Sequence, residues 1–366
     1  MKNVLLVRSS TSPTRVLKEA SSLASSGYSV SILYWNRDNN RSYSEEYDGI
    51  TINYFGFKAP YGRPSLIAYM FVWWLHELMF LLKHHYDIVH ACDFDTLVPA
   101  IVSKMLKHNK VVYDIFDFYS EALPSSIPSF VRKLVKRTEL FCIQFTDATI
   151  LVDESRLVQI KDAKVKKLEI IMNCPIDISA DEFLIEESNI FTIFYGGTIA
   201  KDRGLGQLLN AIRDKDDICF IVAGTGPDLS TFEPMFSSMK NVLFIDWVDY
   251  KKYLNLTLEA DAIFAYYDPV IPNNRLASSN KLFEAMMCAK PIIVNEETTM
   301  SELVQKTDCG VVIPYNDTSK LRNTLFYLKD NRSSCLKLGK NGREAFEMKY
   351  NWSIMEQRLL QLYEKM

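Results

Sequence analysis

Short apolar runs alternate with stretches of helical spacing along the chain, and the alternation comes in two series. The first opens with Asn3–Arg8 and a helical stretch from about Pro13 to Ser26, which Gly27 stops. Tyr28–Trp35, with Val30, Ile32 and Leu33 apolar, and Ile50–Phe55 predict further strands, as do Asp87–Ala91, Lys110–Ile115 and Ala148–Val152. Strands separated by helix-length segments predict an α/β unit, a parallel sheet covered on both faces. A second series follows in Phe191–Tyr195, Ile218–Ala223, Val242–Ile245, Ala262–Tyr266 and Pro291–Val294. Between the two lie Asn173-Cys174-Pro175 and an acidic, weakly patterned stretch to about Ser188, the place for a linker.

The pattern therefore predicts two Rossmann-like domains, residues 1–175 and 189–345. Residues 346–366 form a tail, amphipathic from Trp352 on (Ile354, Leu359, Leu362, Tyr363), expected to be a helix crossing back to the first domain. Open parallel sheets bind ligands at the carboxyl ends of their strands, so two such domains imply a cleft for chemistry.

Composition narrows the partners. In 366 residues, 48 % are hydrophobic and 24 % charged, which fits a globular protein. The net charge of -3 argues against nucleic acid as main partner. Charge is unevenly shared: residues 1–175 hold 21 Lys/Arg against 18 Asp/Glu, and residues 176–366 hold 21 against 27. An anionic surface is thus expected to meet the first half. Seven scattered cysteines without Cys-x-x-Cys predict reduced thiols, and the N-terminus lacks the pattern of a signal peptide. Both point to the cytoplasm.

Three segments could carry chemistry. Tyr195-Gly196-Gly197-Thr198 ends a strand, and Lys201, Arg203 and Gly204 precede a helix near Leu205. Glycines admit a ligand to the backbone and helix starts attract phosphate, although the same residues also make a plain turn. Ala223-Gly224-Thr225-Gly226-Pro227 closes the next strand and has the same two readings. Ser279-Asn280-Lys281-Leu282-Phe283-Glu284 opens a helix. Lys281 could meet phosphate and Glu284 ribose hydroxyls, or Ser279 or Asn280 and the acidic residue could simply cap the helix.

Taken in order, these strings together with Lys290-Pro291 and Cys309-Gly310 resemble the retaining family-4 glycosyltransferases of the GT-B fold. Ser12-Pro13-Thr14-Arg15, Asp87-Ile88-Val89-His90-Ala91, Asp93–Leu97 and Val112-Tyr113-Asp114 resemble the same family more loosely. The resemblance implies retaining transfer of a sugar from a nucleotide diphosphate donor, a UDP- or GDP-sugar, with no required metal or other cofactor. It places the diphosphate at Gly197, Thr198, Arg203 and Lys281 and the nucleoside at Gly224, Gly226, Val248 and Glu284. The sugar then faces Asn274, Ser279 and Asn280. The sequence departs from the family at three points. Leu276 stands where a carboxylate pairs with Glu284, Thr198 where a basic residue is frequent, and Phe116 where a histidine is frequent. Asp114, Asp117 and His90 remain as the catalytic candidates of the first half.

Other constellations carry less. Asp93-Phe94-Asp95 resembles an Asp-x-Asp metal site, but its place between strand and helix favours N-capping. The five histidines show no metal pattern, so no metal is expected. Ser65–Leu82 is strongly apolar but interrupted by His76 and Glu77, short of the ~20 apolar residues of a membrane span. It reads first as a core helix and second as a membrane contact. Phe130–Arg137 predicts a basic amphipathic helix, so residues 65–82 and 128–141 are the candidates for contact with anionic lipid. The expected function is sugar transfer to a glycan or lipid-linked acceptor, in surface polysaccharide or glycolipid synthesis at the inner membrane face. The alternatives are a sugar-nucleotide epimerase, a non-catalytic nucleotide-sugar binder and, lacking Gly-x-Gly-x-x-Gly after the first strand, a nicotinamide oxidoreductase.

Overall fold

The computed structural model describes residues 1–11, 14–39, 43–60, 66–123, 127–178 and 190–366. Pro13, residue 65 and most of the linker, 179–189, lie outside them. The chain divides into two compact units, Met1–Asn173 with Met355–Met366, and Cys174–Ile354.

The first unit is built on β1 (Asn3–Arg8), β2 (Ser29–Asn36), β3 (Ser44–Tyr47), β4 (Ile50–Gly56), β5 (Ile88–Cys92), β6 (Lys110–Ile115), β7 (Ala148–Leu151) and β8 (Leu168–Ile170). Their order is β3-β4-β2-β1-β5-β6-β7-β8, and every pairing is parallel except β3 with β4. The strand order reverses between β1 and β5, where such sheets open a crevice at their carboxyl ends. Along β1 the side chains alternate between two buried faces. Leu5 and Val7 join Val89, Ala91 and Val111 in a core under the helices Leu66–Lys83, Phe94–Lys107 and Ser129–Ile143. The last helix, Trp352–Glu364, gives Met355, Leu359, Leu362 and Tyr363 as buried residues. Its Arg358 guanidinium donates to the Ile170 carbonyl at 3.1 Å, tying the tail to β8.

Two strands of this sheet were not expected from the pattern. All four side chains of β3 are exposed, so no apolar signal marks it, and β8 is only three residues long. The apolar segment expected as a core helix, residues 65–82, forms the helix Leu66–Lys83 and is half core. It buries Met70, Trp73 and Leu81 but leaves Phe71, Leu75 and Met79 more than half exposed.

The second unit holds β9 (Phe191–Gly196), β10 (Ile218–Ala223), β11 (Val242–Ile245), β12 (Ala262–Ala265), β13 (Ile292–Asn295) and β14 (Gly310–Ile313). All pair in parallel in the order β11-β10-β9-β12-β13-β14. That is the Rossmann order, with its reversal between β9 and β12. The unexpected β14 begins at Gly310, where a Cβ would lie 2.0 Å from the Ile292 carbonyl oxygen. Phe191, Phe220 and Phe264 are fully buried in its core, each contributing on the order of 1.5–3 kcal/mol.

Candidate functional site

The carboxyl ends of β9 and β10 turn tightly into each other. The Gly197 amide donates to the Ala223 carbonyl at 2.9 Å and the Ile199 amide to the Thr225 carbonyl at 3.0 Å. Gly197 and Gly224 have φ of 142° and 135°, and a Cβ on Gly224 would sit 2.0 Å from the Gly197 oxygen. A Cβ on Gly226 would meet the Ile199 oxygen at 2.2 Å. Glycine is therefore required at both positions by loop packing. Together these loops line an open cavity of about 400 Å³ with Trp247, Val248, Tyr250 and Tyr253. Trp247 is 72 % exposed there, and Tyr250 and Tyr253 stack at 6.1 Å. A flat, half-solvated aromatic wall suits a heterocyclic ring.

The basic groups converge beside the first loop. A Cβ on Gly197 would stand 2.9 Å from Lys281 Nζ, so the ammonium lies against this backbone. Lys281 donates to the Tyr267 hydroxyl at 3.2 Å and lies 4.9 Å from the Tyr195 ring centre. Arg203 also lies over the Tyr267 ring, at 4.4 Å, and donates to Asn274 Oδ1 at 2.8 Å. Burial works against the charge on Lys281, yet Tyr267 and Tyr195 hold its pKa above the ordinary value. In turn burial raises Tyr267, but Lys281, Ser279 and Arg203 outweigh it and lower its pKa. Burial pushes Tyr195 up to about 12. Among the described residues no carboxylate lies within ion-pair distance of Lys281.

Ser279 occupies the N-cap position of helix Asn280–Met287, yet makes no side-chain cap. Its hydroxyl meets the Tyr267 hydroxyl at 2.9 Å instead, so the first amides of the helix are left to other acceptors. The loop before it buries two polar atoms, Asn273 Oδ1 and Ser278 Oγ, that have no partner among the described residues. Buried polar atoms normally find a partner, so this loop is suited to a polar ligand. Glu284 is 7 % exposed and lies beside Tyr250 and Tyr253, whose pKa values rise first through burial and then through this carboxylate. Leu276 brings no charge to the loop, and Asn280 is exposed at the helix start. Thr198 is exposed, and its carbonyl accepts from the Tyr195 hydroxyl at 2.6 Å. Tyr195 was named from sequence only as the start of the first glycine motif, and Tyr253 and Tyr267 were not singled out. Only the stacking surface of Trp247, in the segment after β11, offered a signal.

In the first unit the catalytic candidates separate. Asp114 and His90 are both 0 % exposed. Arg15 grips Asp114 through Nε at 2.9 Å and a second nitrogen at 3.0 Å, and also pairs with Glu19 at 3.1 Å. His90 Nδ1 lies 2.7 Å from the Tyr363 hydroxyl, and Nε2 lies 3.5 Å from Asp114. Burial raises Asp114, but Arg15 and His90 prevail and lower its pKa, while burial pushes Glu19 up to about 7. His90, one of the catalytic candidates, sits inside β5 with no exposed surface, its ring facing Tyr363 and Asp114. His90, Cys92 and Asp114 come within 4.8 Å of one another; Arg15 holds both oxygens of Asp114 and Tyr363 meets His90 Nδ1, while His90 Nε2 has no hydrogen-bond partner among the described residues. Asp117 is half-exposed and pairs with Arg156 at 2.8 Å. Phe116 lies under two guanidiniums, Arg8 at 4.2 Å and Arg15 at 5.0 Å.

The capping expected of Asp93 is corrected. It stands at the N-cap with φ 68° but makes no cap bond. Its carboxylate accepts instead from the amides of Phe116 at 2.9 Å and Asp117 at 3.3 Å, which fixes the end of β6. Asp95 accepts from Ser9, and its carbonyl takes both indole N–H groups of Trp73 and Trp74. The two carboxylates of this motif thus serve the fold around the strand ends.

Residues 178–345 match the family described as Glycosyl transferases group 1. The capsular polysaccharide biosynthesis glycosyltransferase CapM of Staphylococcus aureus is 23 % identical over 261 residues, 64 % of this chain and 65 % of CapM. The chain spans about half the length of two other curated relatives, 46 % and 51 %. The fold matches sucrose-phosphate synthase from Thermosynechococcus elongatus with a TM-score of 0.81 at 15 % identity, covering 100 % of this chain and 99 % of that one. It matches Anabaena HepE, solved with UDP and glucose, with a TM-score of 0.74 at 12 % identity and full coverage of both. Residues 178–345, which fall in the second unit, are thus similar to the group 1 glycosyltransferases, and the two Rossmann-like units have the GT-B fold.

Proposed function

We propose that this protein is a retaining glycosyltransferase of family 4 that moves a sugar from a nucleotide diphosphate donor to a glycan or lipid-linked acceptor. One observation carries the reading: Lys281 Nζ, without a carboxylate partner among the described residues, lies against Gly197 at the uncapped start of helix Asn280–Met287. Cation, backbone loop and helix amides together fit a diphosphate. The base would lie against Trp247 and Val248, with Gly224 and Gly226 shaping the loops beside it and the ribose near Glu284. The diphosphate would be held at Gly197, Thr198, Arg203 and Lys281, and the sugar at Asn274, Ser279 and Asn280. The likeness to HepE, solved with UDP, supports a UDP-sugar, and a GDP-sugar has the same needs.

The departing diphosphate gains negative charge in the transition state. Lys281, Arg203 and the helix amides are already in place to stabilise it without reorganisation, which is where such sites gain most of their rate. Leu276 brings no carboxylate to the sugar subsite, and the carboxylate that reaches it, Asp202, already accepts from Asn274 at 2.8 Å, so the acceptor is taken to attack from the leaving-group side. The first unit would take the acceptor, in surface polysaccharide or glycolipid synthesis on the cytoplasmic side; the likeness to CapM, named for capsular polysaccharide biosynthesis, supports the polysaccharide.

Thermal unfolding with UDP-, GDP-, ADP- and dTDP-sugars and with NAD tests this. A donor at 100 times its Kd stabilises by about 2.7 kcal/mol. Stabilisation by one nucleotide sugar, with sugar transferred and the anomeric configuration kept, is the expected outcome. Stabilisation by NAD alone overturns it, and epimerised donor without transfer replaces it with the epimerase.

A further inference from the structure

The helices Leu66–Lys83, Phe94–Lys107 and Ser129–Ile143 cover the same core of the first unit. Their charges are sorted by sign. Each carries one carboxylate, and all three are buried: Glu77 and Glu139 at 0 % and Asp95 at 6 % exposure. Lys83, Lys133, Lys136 and Arg137 are exposed and, among the described residues, make no ion pair. Lys107 donates to the carbonyls of Leu81, Leu82 and His84, and Lys104 to that of Phe145, so the helices are tied at their carboxyl ends.

Between these cations the outer surface is apolar. Phe71, Leu75, Met79 and Leu82 form one stripe on the first helix, exposed by 64, 59, 54 and 42 %. Phe130, Leu134 and Phe141 form another on the third, at 70, 62 and 61 %, with Met105 and Leu106 at the end of the second. Soluble monomers seldom leave so many large side chains outward on neighbouring helices. Among the described residues no helix is long and apolar enough to cross a membrane. The combination of apolar stripes, unpaired cations and inward carboxylates suits the boundary of an anionic bilayer. A protein partner fits less well, because interface cores are depleted in lysine.

We propose that this three-helix face docks on anionic lipid, with Phe71, Leu75, Met79, Phe130, Leu134 and Phe141 entering the headgroup boundary and Lys133, Lys136 and Arg137 facing the phosphates. The inference goes beyond the donor site and does not depend on it. Flotation of the full chain with phosphatidylcholine vesicles, with and without phosphatidylglycerol, tests it. The protein floats only with the anionic vesicles and is released by salt. Each basic residue contributes roughly fivefold, so Lys133→Glu, Lys136→Glu and Arg137→Glu together lower binding at least on the order of a hundredfold. Leu75→Gln with Met79→Gln lowers it while keeping its salt dependence. Failure of the wild type to float, or a triple variant that floats like it, overturns the proposal. So does a dimer that Leu75→Gln disperses without any vesicle binding, because the face would then belong to a second copy. Thermal stabilisation of the same variants by a nucleotide sugar reads the donor site separately.

Discussion

In the first unit Arg15, Glu19, His90 and Asp114 pair among themselves, 0 to 4 % exposed. In the second, Arg203 and Lys281 gather around Tyr267, next to glycine loops that open on a cavity. Both clusters hold strong charges in low-dielectric surroundings. They differ in what completes them. The first is closed by its own carboxylates and by Tyr363, so no polar atom of Asp114 is left for a substrate. The second lacks, among the described residues, a carboxylate within ion-pair distance of Lys281. Buried polar atoms without a hydrogen-bond partner among those residues occur in both, at Glu19 and His90 Nε2 in the first and at Asn273 Oδ1 and Ser278 Oγ in the second. The contrast rests on the carboxylates and on the open cavity. A charged residue near a strand end therefore says little about chemistry until its partners are counted.

The largest test of that contrast is Asp114→Ala. Removing Asp114 leaves Arg15 with Glu19 and the Ile171 carbonyl alone, and breaking one side of a buried pair costs about 3–5 kcal/mol. Urea unfolding should show the loss, and the temperature shift given by the donor should persist wherever the second unit remains folded. If activity fell with stability intact, Asp114 would belong to the chemistry after all. Lys281→Ala should behave in the opposite sense. Loss of one preorganised group at a developing anion costs on the order of 10²- to 10³-fold in kcat, with the unfolding curve little changed. A destabilised variant of normal kcat would make Lys281 structural.

Strands with apolar alternation were legible in sequence, and so was the grouping of Gly197, Gly224 and Lys281, whose motifs stand in fixed order along the chain and which the structure brings together. What was not legible depends on long-range contacts. Nothing local says that Arg15, 99 residues away, would occupy both oxygens of Asp114, or that Tyr363 would reach His90 from 273 residues away. Asp93 looked like a cap because caps are local; it bonds instead to amides that arrive with β6. Tyr253 and Tyr267 were equally hidden, since nothing local tells that either would meet Glu284 or Lys281.

A smaller effect sharpens the division inside the donor site. Arg203→Ala removes a charge-assisted bond to Asn274, and Glu284→Ala removes a carboxylate beside two tyrosines. Bonds of this kind are worth about 1.5–3 kcal/mol, so donor binding by calorimetry should weaken roughly ten- to a hundredfold in each. Unchanged affinity in both would refute the assignment. A loss of affinity at Arg203→Ala with kcat kept would separate holding the donor from stabilising the departing diphosphate.

The smallest effect is a pH dependence in the first unit. Burial pushes Asp93 up from 3.8 to about 7, against the pull of Arg8 and with repulsion from Asp95 and Asp117. A carboxyl raised in the folded state contributes stability that is present below about pH 4 and lost as the pH rises through 7. Asp93→Asn keeps an oxygen for the Phe116 and Asp117 amides, and asparagine tolerates φ 68° well. Variant and wild type should therefore unfold alike near pH 4. Above pH 7 the variant should be the more stable, by on the order of 1–2 kcal/mol, because the carboxylate is only partly buried. Glu19, also raised to about 7, leaves a residual slope in the variant, and adding Glu19→Gln should flatten it further. Parallel curves for Asp93→Asn and wild type would mean that the two amides hold the carboxylate ionised, and the strand-end carboxylates would then be balanced as closely as the Asp114 cluster.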